Sequence, residues 1–140
     1  MILKPRVLLD SNVLISAVLF PHRKLGEILE YWQEGEFDLV ISKSLYEEVI
    51  ENLLILSPRY GFSLRDVLNF GKILQEFALW VEIIPQAKLC RDEKDNQVLD
   101  TAFQGKVDFL VSGDKDLLVL KKYRRIPILS PAKFLKQFSK

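Results

Sequence analysis

Carboxylates follow or adjoin apolar segments at three places along this 140-residue chain. Asp10 comes directly after the apolar run 7–9, and Asp114 follows the run 109–111 through Ser112 and Gly113. In open α/β sheets, ligands bind in the crevice beyond the carboxyl ends of the strands. Asp95 lies at the start of a segment in which apolar residues recur at helical spacing. Carboxylates that converge in one crevice repel one another unless a cation lies between them, so the three aspartates predict a site for a hard divalent ion.

Each aspartate also has a simpler structural interpretation. Asp10 and Asp114 are good N-cap residues for the helices that follow them. Asp95 lies in a first turn, behind Asp92 as N-cap, where the helix dipole favours an acid. At about 100° per residue, however, Asp95 falls near the centre of the apolar face formed within residues 98–103. Each position alone leaves both interpretations open, and the three together favour a site.

Composition limits the chemistry that other residues could supply. The chain is 49% hydrophobic, which predicts one domain over residues 1–140 with a single core. One Cys and one His, Cys90 and His22, exclude the usual zinc clusters, and any triad or Cys-His pair would have to use His22. Oxygen ligands are therefore expected for any metal. The net charge of +1 does not by itself indicate a partner.

Targeting signals are not expected. The N-terminus reaches Asp10 before any long apolar region, which is unlike a signal peptide. No apolar run approaches the ~20 residues that span a bilayer. The sequence therefore predicts a soluble, cytoplasmic protein that does not bind membranes.

The elements that must position the acids alternate along the chain. Short apolar runs predict strands at 7–9, 39–41, 81–84, 109–111 and 126–129. Helical spacing fills the intervals, with a capping box expected from Ser44 to Glu47 and helix starts at Ser63 and Ser130. Strands that alternate with helices predict a three-layer α/β/α domain with a mainly parallel central sheet of about five strands.

Four motifs in this order resemble the PIN-domain family, specifically the compact PIN toxins of bacterial and archaeal toxin-antitoxin pairs. They are VLLDSN (7–12), ISKSLYEEVIENL (41–53), CRDEKDNQVLDTA (90–102) and VDFLVSGDKDLL (107–118). The resemblance covers nearly the whole chain. It implies an α/β PIN-like fold and a metal-dependent endoribonuclease that cleaves single-stranded or structured RNA. It also implies a small antitoxin partner and a homodimer or higher homo-oligomer.

The resemblance also assigns residues. The family's four acids fall on Asp10, Glu48, Asp95 and Asp114, which would hold Mg²⁺ or Mn²⁺ and carry the catalysis. Asp116 stands where many relatives have a further acid. Ser11, Asn12 and Ser112 occupy the hydroxyl and amide positions beside the acids, and Ser11 replaces a common Thr.

The residues alone do not identify the second acid of the site. Helical periodicity does not favour Glu48, because it lies nearly opposite the expected buried face, with Glu47 at its flank. The expected capping box gives Glu47 a structural role, and the family position falls on Glu48. We therefore predict that Glu48 belongs to the site.

A basic cluster with an embedded aromatic is the candidate RNA-binding segment. It consists of Lys121, Lys122, Arg124 and Arg125 around Tyr123, and it could track phosphates or stack a base. A solvated basic loop explains the same pattern equally well.

Other functions fit less well. A receiver domain needs an adjacent acidic pair after its first strand, where Ser11 stands here. A haloacid dehalogenase-type phosphatase needs a second Asp two residues after Asp10, and residue 12 is Asn. A non-catalytic RNA-binding or antitoxin-binding PIN module and a stand-alone RNA-processing nuclease remain as alternatives to a toxin.

Overall fold

A computed structural model describes residues 4–138 of the chain. They form an α/β fold in which a six-stranded sheet is flanked by seven α-helices and one 3₁₀ turn. The strands are β1 (Arg6–Leu9), β2 (Asp38–Ser42), β3 (Leu79–Val81), β4 (Phe109–Val111), β5 (Lys122–Tyr123) and β6 (Ile126–Leu129). The helices are α1 (Ser11–Leu19), α2 (Gly26–Gln33), α3 (Lys43–Leu56), α4 (Leu64–Phe77), α5 (Glu93–Gln104), α6 (Lys115–Leu118) and α7 (Pro131–Leu135), and the 3₁₀ turn covers Ser57–Tyr60.

The sheet brings the ends of β1 and β4 side by side. Its order is β3-β2-β1-β4-β6-β5, and all neighbours are parallel except β5 and β6. Leu9 of β1 pairs with Val111 of β4, so the residues that follow each strand leave the sheet at the same edge. This edge, where the parallel strands end, is called the carboxyl edge below.

The strands on which the site depends are buried on both faces. Val7, Leu8 and Leu9 have no solvent exposure, as the unbroken apolar run predicted. Phe134 of α7 packs against Phe37 and Phe109 in the core beneath the sheet. The α/β fold with a mainly parallel sheet is confirmed, with six strands where about five were expected.

Three predicted elements are wrong in detail. The third strand covers Leu79–Val81 and not 81–84, because the backbone of Ile84 is bonded on both its N–H and its C=O by the Gln104 side chain. The helix expected after Asp114, which the sequence predicts over 117–122, is only the four-residue α6, and Lys122–Tyr123 form a strand that pairs with β6.

The expected capping box of α3 is also wrong. The helix begins two residues earlier, at Lys43, so Ser44 is its second residue and Ser42 its N-cap. The Ser42 hydroxyl accepts a hydrogen bond from the Thr101 hydroxyl at 3.0 Å, which ties α5 to the end of β2. A capping box does form at α4, where Ser63 and Asp66 exchange hydrogen bonds, and the predicted helix starts at Ser63 and Ser130 are confirmed.

An extended segment of residues 82–92, called the strap below, runs along α5 toward the carboxyl edge. Three α5 side chains at four-residue intervals hold its backbone, so they share one face of the helix. Gln104 bonds Ile84 in both directions, the Asp100 carboxylate accepts from the N–H of Gln86 and Ala87, and Asn96 bonds Cys90 in both directions. The strap therefore reaches the start of α5 at a defined position.

In the described part of the chain, no helix has the length and apolarity that crossing a membrane requires.

Candidate metal centre

Two neighbouring strand ends are joined through one serine. The Asp10 carboxylate accepts from the backbone N–H of Ser11 at 2.8 Å and from the hydroxyl of Ser112 at 2.8 Å. The same Ser112 oxygen accepts from the backbone N–H of Asp114 at 3.0 Å. Ser112 is fully buried, so these bonds fix the β1 and β4 ends relative to each other.

Capping and site formation are not alternatives here. Asp10 caps α1, Asp92 caps α5, and Asp114 caps α6 by accepting from the N–H of Asp116 at 2.9 Å. An N-cap bond uses one carboxylate oxygen, so the other oxygen of Asp114 stays available to a ligand. The simpler interpretation of Asp10 and Asp114 as N-caps is therefore correct, and for Asp114 it leaves the functional one intact.

Three carboxylates converge where α5 and α6 begin. Asp95, Asp114 and Asp116 each place an oxygen within 4.8 Å of the other two. Asp95 is buried and Asp116 is exposed, so the group opens from the interior to the surface. An all-oxygen set of this size suits Mg²⁺ or Mn²⁺, and the residues present therefore fit the ion that the sequence predicted.

Burial and mutual repulsion raise the pKa of two of these acids. Asp95, which is 7% exposed, has its pKa raised from 3.8 to about 6, first by burial and then by the charges of Asp114, Asp92 and Asp10. The pKa of Asp10 is also raised, chiefly by burial, although its bonds to Ser112 and Ser11 oppose the shift. Without a cation, ionised carboxylates are unfavourable in this crevice.

Glu48 faces the same crevice from α3. Its charge contributes to the raised pKa of Asp10, and its carboxylate lies 3.5 Å from the Lys94 ammonium of α5. Glu47 is exposed, whereas Glu48 is partly buried. The buried face of α3 is the narrow row Leu45, Val49 and Leu53, so Glu48 lies one turn from Leu45 and not opposite the core.

The residues predicted to accompany the acids differ in their placement. Ser11 is buried behind Asp10, and Asn12 is exposed on the first turn of α1. The carboxylate oxygens that come closest together are those of Asp95, Asp114 and Asp116, and the group does not include Asp10.

The two arginines of the predicted RNA-binding cluster lie elsewhere on the sheet. Arg124 and Arg125 form the two-residue turn between β5 and β6, at the edge where the parallel strands begin. The Arg124 guanidinium lies 4.3 Å from the centre of the Phe103 ring, eight residues along α5 from Asp95, which is ~12 Å at the rise of an α-helix. RNA binding by this cluster stays a prediction, and this turn is remote from the acids.

Sequence reasoning missed the residues that hold the crevice from the side. Asn96 and Asp100 are buried polar residues that bind strap backbone, and Arg91 lies at the end of the strap with a guanidinium nitrogen 3.9 Å from an Asp116 oxygen. The available signal was the four-residue spacing of the polar side chains at 96, 100 and 104, which places them in one row on α5.

Comparison with known proteins decides the family. The sequence matches the PIN domain over residues 6–116. The chain belongs to the PIN-domain family. It is 32% identical over 149 aligned residues to the uncharacterized protein MJ1680 of Methanocaldococcus jannaschii, covering 99% of this chain and 94% of that one. Its fold is similar to that of the PIN domain endonuclease Utp24, with a TM-score of 0.50, 22% identity, and coverage of 89% and 84% of the two chains.

PIN domains are generally nucleases, and membership therefore supports nuclease activity for this chain. The acidic crevice at the carboxyl edge of this PIN domain is its candidate active site.

Proposed function

We propose that this PIN domain is an endoribonuclease that requires Mg²⁺ or Mn²⁺. The observation that carries the proposal is the convergence of Asp95, Asp114 and Asp116 within 4.8 Å, at a point where burial, and after it the charges of the neighbouring acids, raises the pKa of Asp95. Oxygen ligands of this kind are those that hard divalent ions use in phosphodiester-cleaving enzymes.

The chain's own residues divide the work as follows. Asp95, Asp114 and Asp116 would hold the ion, and Asp10 and Glu48 border them from β1 and α3. When bound, such an ion lowers the pKa of a coordinated water and offsets charge on the phosphate. Ser112 keeps Asp10 and the Asp114 backbone in one arrangement, so the acids stay in place before substrate arrives.

The test is cleavage of a defined single-stranded RNA by purified protein. We expect cleavage with Mg²⁺ or Mn²⁺, none in excess EDTA, and recovery when the ion is restored. Asp114→Asn should abolish cleavage, whereas Glu27→Gln, which changes a partly exposed acid of α2 outside the acidic crevice, should leave it unchanged. Equal cleavage in EDTA would show that the acids do not act through a metal.

We further propose that the nuclease is the toxin of a toxin-antitoxin pair with a small antitoxin partner. The motif resemblance and the apolar side chains that α3 and α4 leave exposed support this role. Induced expression should then arrest growth of a bacterial host, Asp114→Asn should not, and a short open reading frame beside the gene should restore growth when co-expressed. An active nuclease without growth arrest would instead indicate a stand-alone RNA-processing enzyme.

A further inference from the structure

Two cations stand on opposite sides of the acidic crevice. The Arg91 guanidinium, at the end of the strap, lies 3.9 Å from Asp116, and the Lys94 ammonium, in the first turn of α5, lies 3.5 Å from Glu48. Both side chains are largely in solvent, with 94% and 71% of their surface exposed. Each cation therefore touches an acid at the rim and remains accessible to a ligand.

Fold stability does not account for these two cations. Exposed ion pairs contribute between nothing and about 1 kcal/mol to folding. The first turn of a helix also disfavours positive charge, because the helix dipole is positive there. Lys94 lies in that turn and Arg91 immediately precedes the N-cap Asp92. Their placement is explained better by a ligand than by stability.

Charge balance indicates which ligand. Asp10, Glu48, Asp95, Asp114 and Asp116 line one crevice, and a single divalent ion leaves that group with net negative charge. An RNA phosphate approaching the same ion is repelled unless cations at the rim offset this charge. Arg91 and Lys94 stand where such compensation is needed.

The strap fixes one of the two cations. Asn96 donates to the C=O of Cys90 at 3.0 Å and accepts from its N–H at 2.9 Å, so the residue before Arg91 is held to α5 on both backbone groups. Lys94 lies on the same helix, two residues before Asn96. The backbones that carry the two cations are therefore held relative to each other by α5 itself.

We propose that Arg91 and Lys94 bind two RNA phosphates, one on each side of the acidic crevice. They rest on Asp116 and Glu48 in the free protein and exchange these partners for phosphates when RNA binds. The assignment rests on the proposed ribonuclease function and adds the substrate-binding residues that the acids cannot supply.

Binding of a fluorescein-labelled 12-nucleotide single-stranded RNA tests the proposal. Anisotropy is measured between 50 and 300 mM NaCl with Ca²⁺ present, and a gel verifies that the RNA stays intact. Arg91→Gln and Lys94→Gln should each weaken binding several-fold and lower the slope of log K against log[NaCl] by about 0.7, and the double variant by about 1.4. Lys24→Gln, which removes the exposed lysine of another Lys–Glu pair just before α2, is the matched control and should change neither.

A second measurement separates direct contact from a general field effect. A series of RNAs is made in which one phosphate, at a different position in each, is replaced by a neutral methylphosphonate. Wild-type protein should lose affinity when the replaced phosphate is one that a cation contacts. In Arg91→Gln, the loss of affinity should disappear at one of these positions. Calorimetric titration with Mn²⁺ should show no weaker metal binding in either variant, because neither cation is a ligand.

Three outcomes are decisive. Variants that bind RNA with the wild-type slope, or methylphosphonate losses that are the same in wild type and Arg91→Gln, would overturn the assignment while leaving the ribonuclease proposal standing. Wild-type protein that neither binds nor cleaves RNA would instead refute the ribonuclease proposal itself.

Discussion

Asp95 shows why a metal site costs folding free energy when no ion is bound. Its carboxylate is buried beside Asp114 and near Asp92 and Asp10, and its pKa is about 6. Since the unfolded pKa is 3.8, the folded state binds the proton more tightly. Stability of the metal-free protein therefore falls as the pH rises from about 4 to about 6, and the full cost, about 3 kcal/mol at most, persists above that range.

Replacing this charge should stabilise the protein and abolish its activity. We expect metal-free Asp95→Asn to melt several degrees higher than wild type at pH 8, and the difference to disappear at pH 4, where Asp95 is protonated. Mn²⁺ should raise the wild-type melting temperature and leave that of Asp95→Asn unchanged. Glu93→Gln in the same helical turn is the control and should follow wild type. A less stable Asp95→Asn at pH 8 would contradict the account of its pKa.

Glu48 and Glu47 differ by one position and should differ completely in function. Glu48 is partly buried beside the crevice, and Glu47 points to solvent without the capping role that the sequence suggested. Glu48→Gln should therefore abolish most RNA cleavage at a nearly unchanged melting temperature, and Glu47→Gln should keep most of it. Turnover and melting curves of both variants decide the matter, and an inactive Glu47→Gln with a normal Glu48→Gln would move the assignment by one residue.

At the scale of elements, α5 combines two functions that the sequence did not separate. Its first turn carries Asp95 to the crevice, as periodicity and the first-turn position both predicted. Its polar face binds the strap. The spacing of apolar residues could not predict this contact, because bonds between side chains and backbone leave no apolar repeat. The same bonds compete with sheet pairing for the backbone of Ile84, which is why the third strand was placed too far along the chain.

Asp100 is an acid whose role is structural. It is buried, and its carboxylate accepts from two backbone N–H groups of the strap at 3.1 and 2.9 Å. Asp100→Ala leaves both donors unpaired and should lower the free energy of unfolding by about 2–4 kcal/mol in urea denaturation. Exposed Glu76→Ala should change it by less than about 0.5 kcal/mol. Equal stability of the two variants would mean that the strap is held without Asp100.

The β5–β6 turn stores backbone strain in two arginines. Arg124 and Arg125 have φ angles of 47° and 72°, the pattern of a two-residue turn that favours Asn-Gly. Arg125→Gly should relieve this strain and raise stability by about 0.5–1 kcal/mol, whereas Arg125→Ala keeps the strain and should not. If the turn binds RNA as the basic sequence predicts, both variants should also weaken RNA binding. Measuring unfolding and RNA affinity together separates the two effects.

For the whole molecule, strands and helix starts were predicted correctly where the local sequence is compatible with only one structure. The unbroken run 7–9 could be satisfied only by burial on both faces, and Ser63 and Ser130 each start a helix as their types indicate. The capping box at Ser44 failed because Thr101, far along the chain, bonds Ser42 and the helix starts earlier. The edge position of the Arg124–Arg125 turn depends on a strand of two residues, β5, which carries too little pattern to be predicted.

Exposed leucines on α4 are the surface at which we expect two copies of the chain to meet. Leu64 and Leu68 lie one turn apart on the same face and are 62% and 55% exposed, which leaves apolar surface that a second copy can cover. We expect a homodimer at about 10 µM by size-exclusion chromatography with light scattering. The double variant Leu64→Glu/Leu68→Glu should be monomeric. It should still unfold in one cooperative melting transition, because neither side chain lies in the core. The control variant is Leu89→Glu, which changes a leucine of the strap that is 60% exposed, and it should remain dimeric. A monomeric wild type, or a double variant that still dimerises, would remove α4 from the interface.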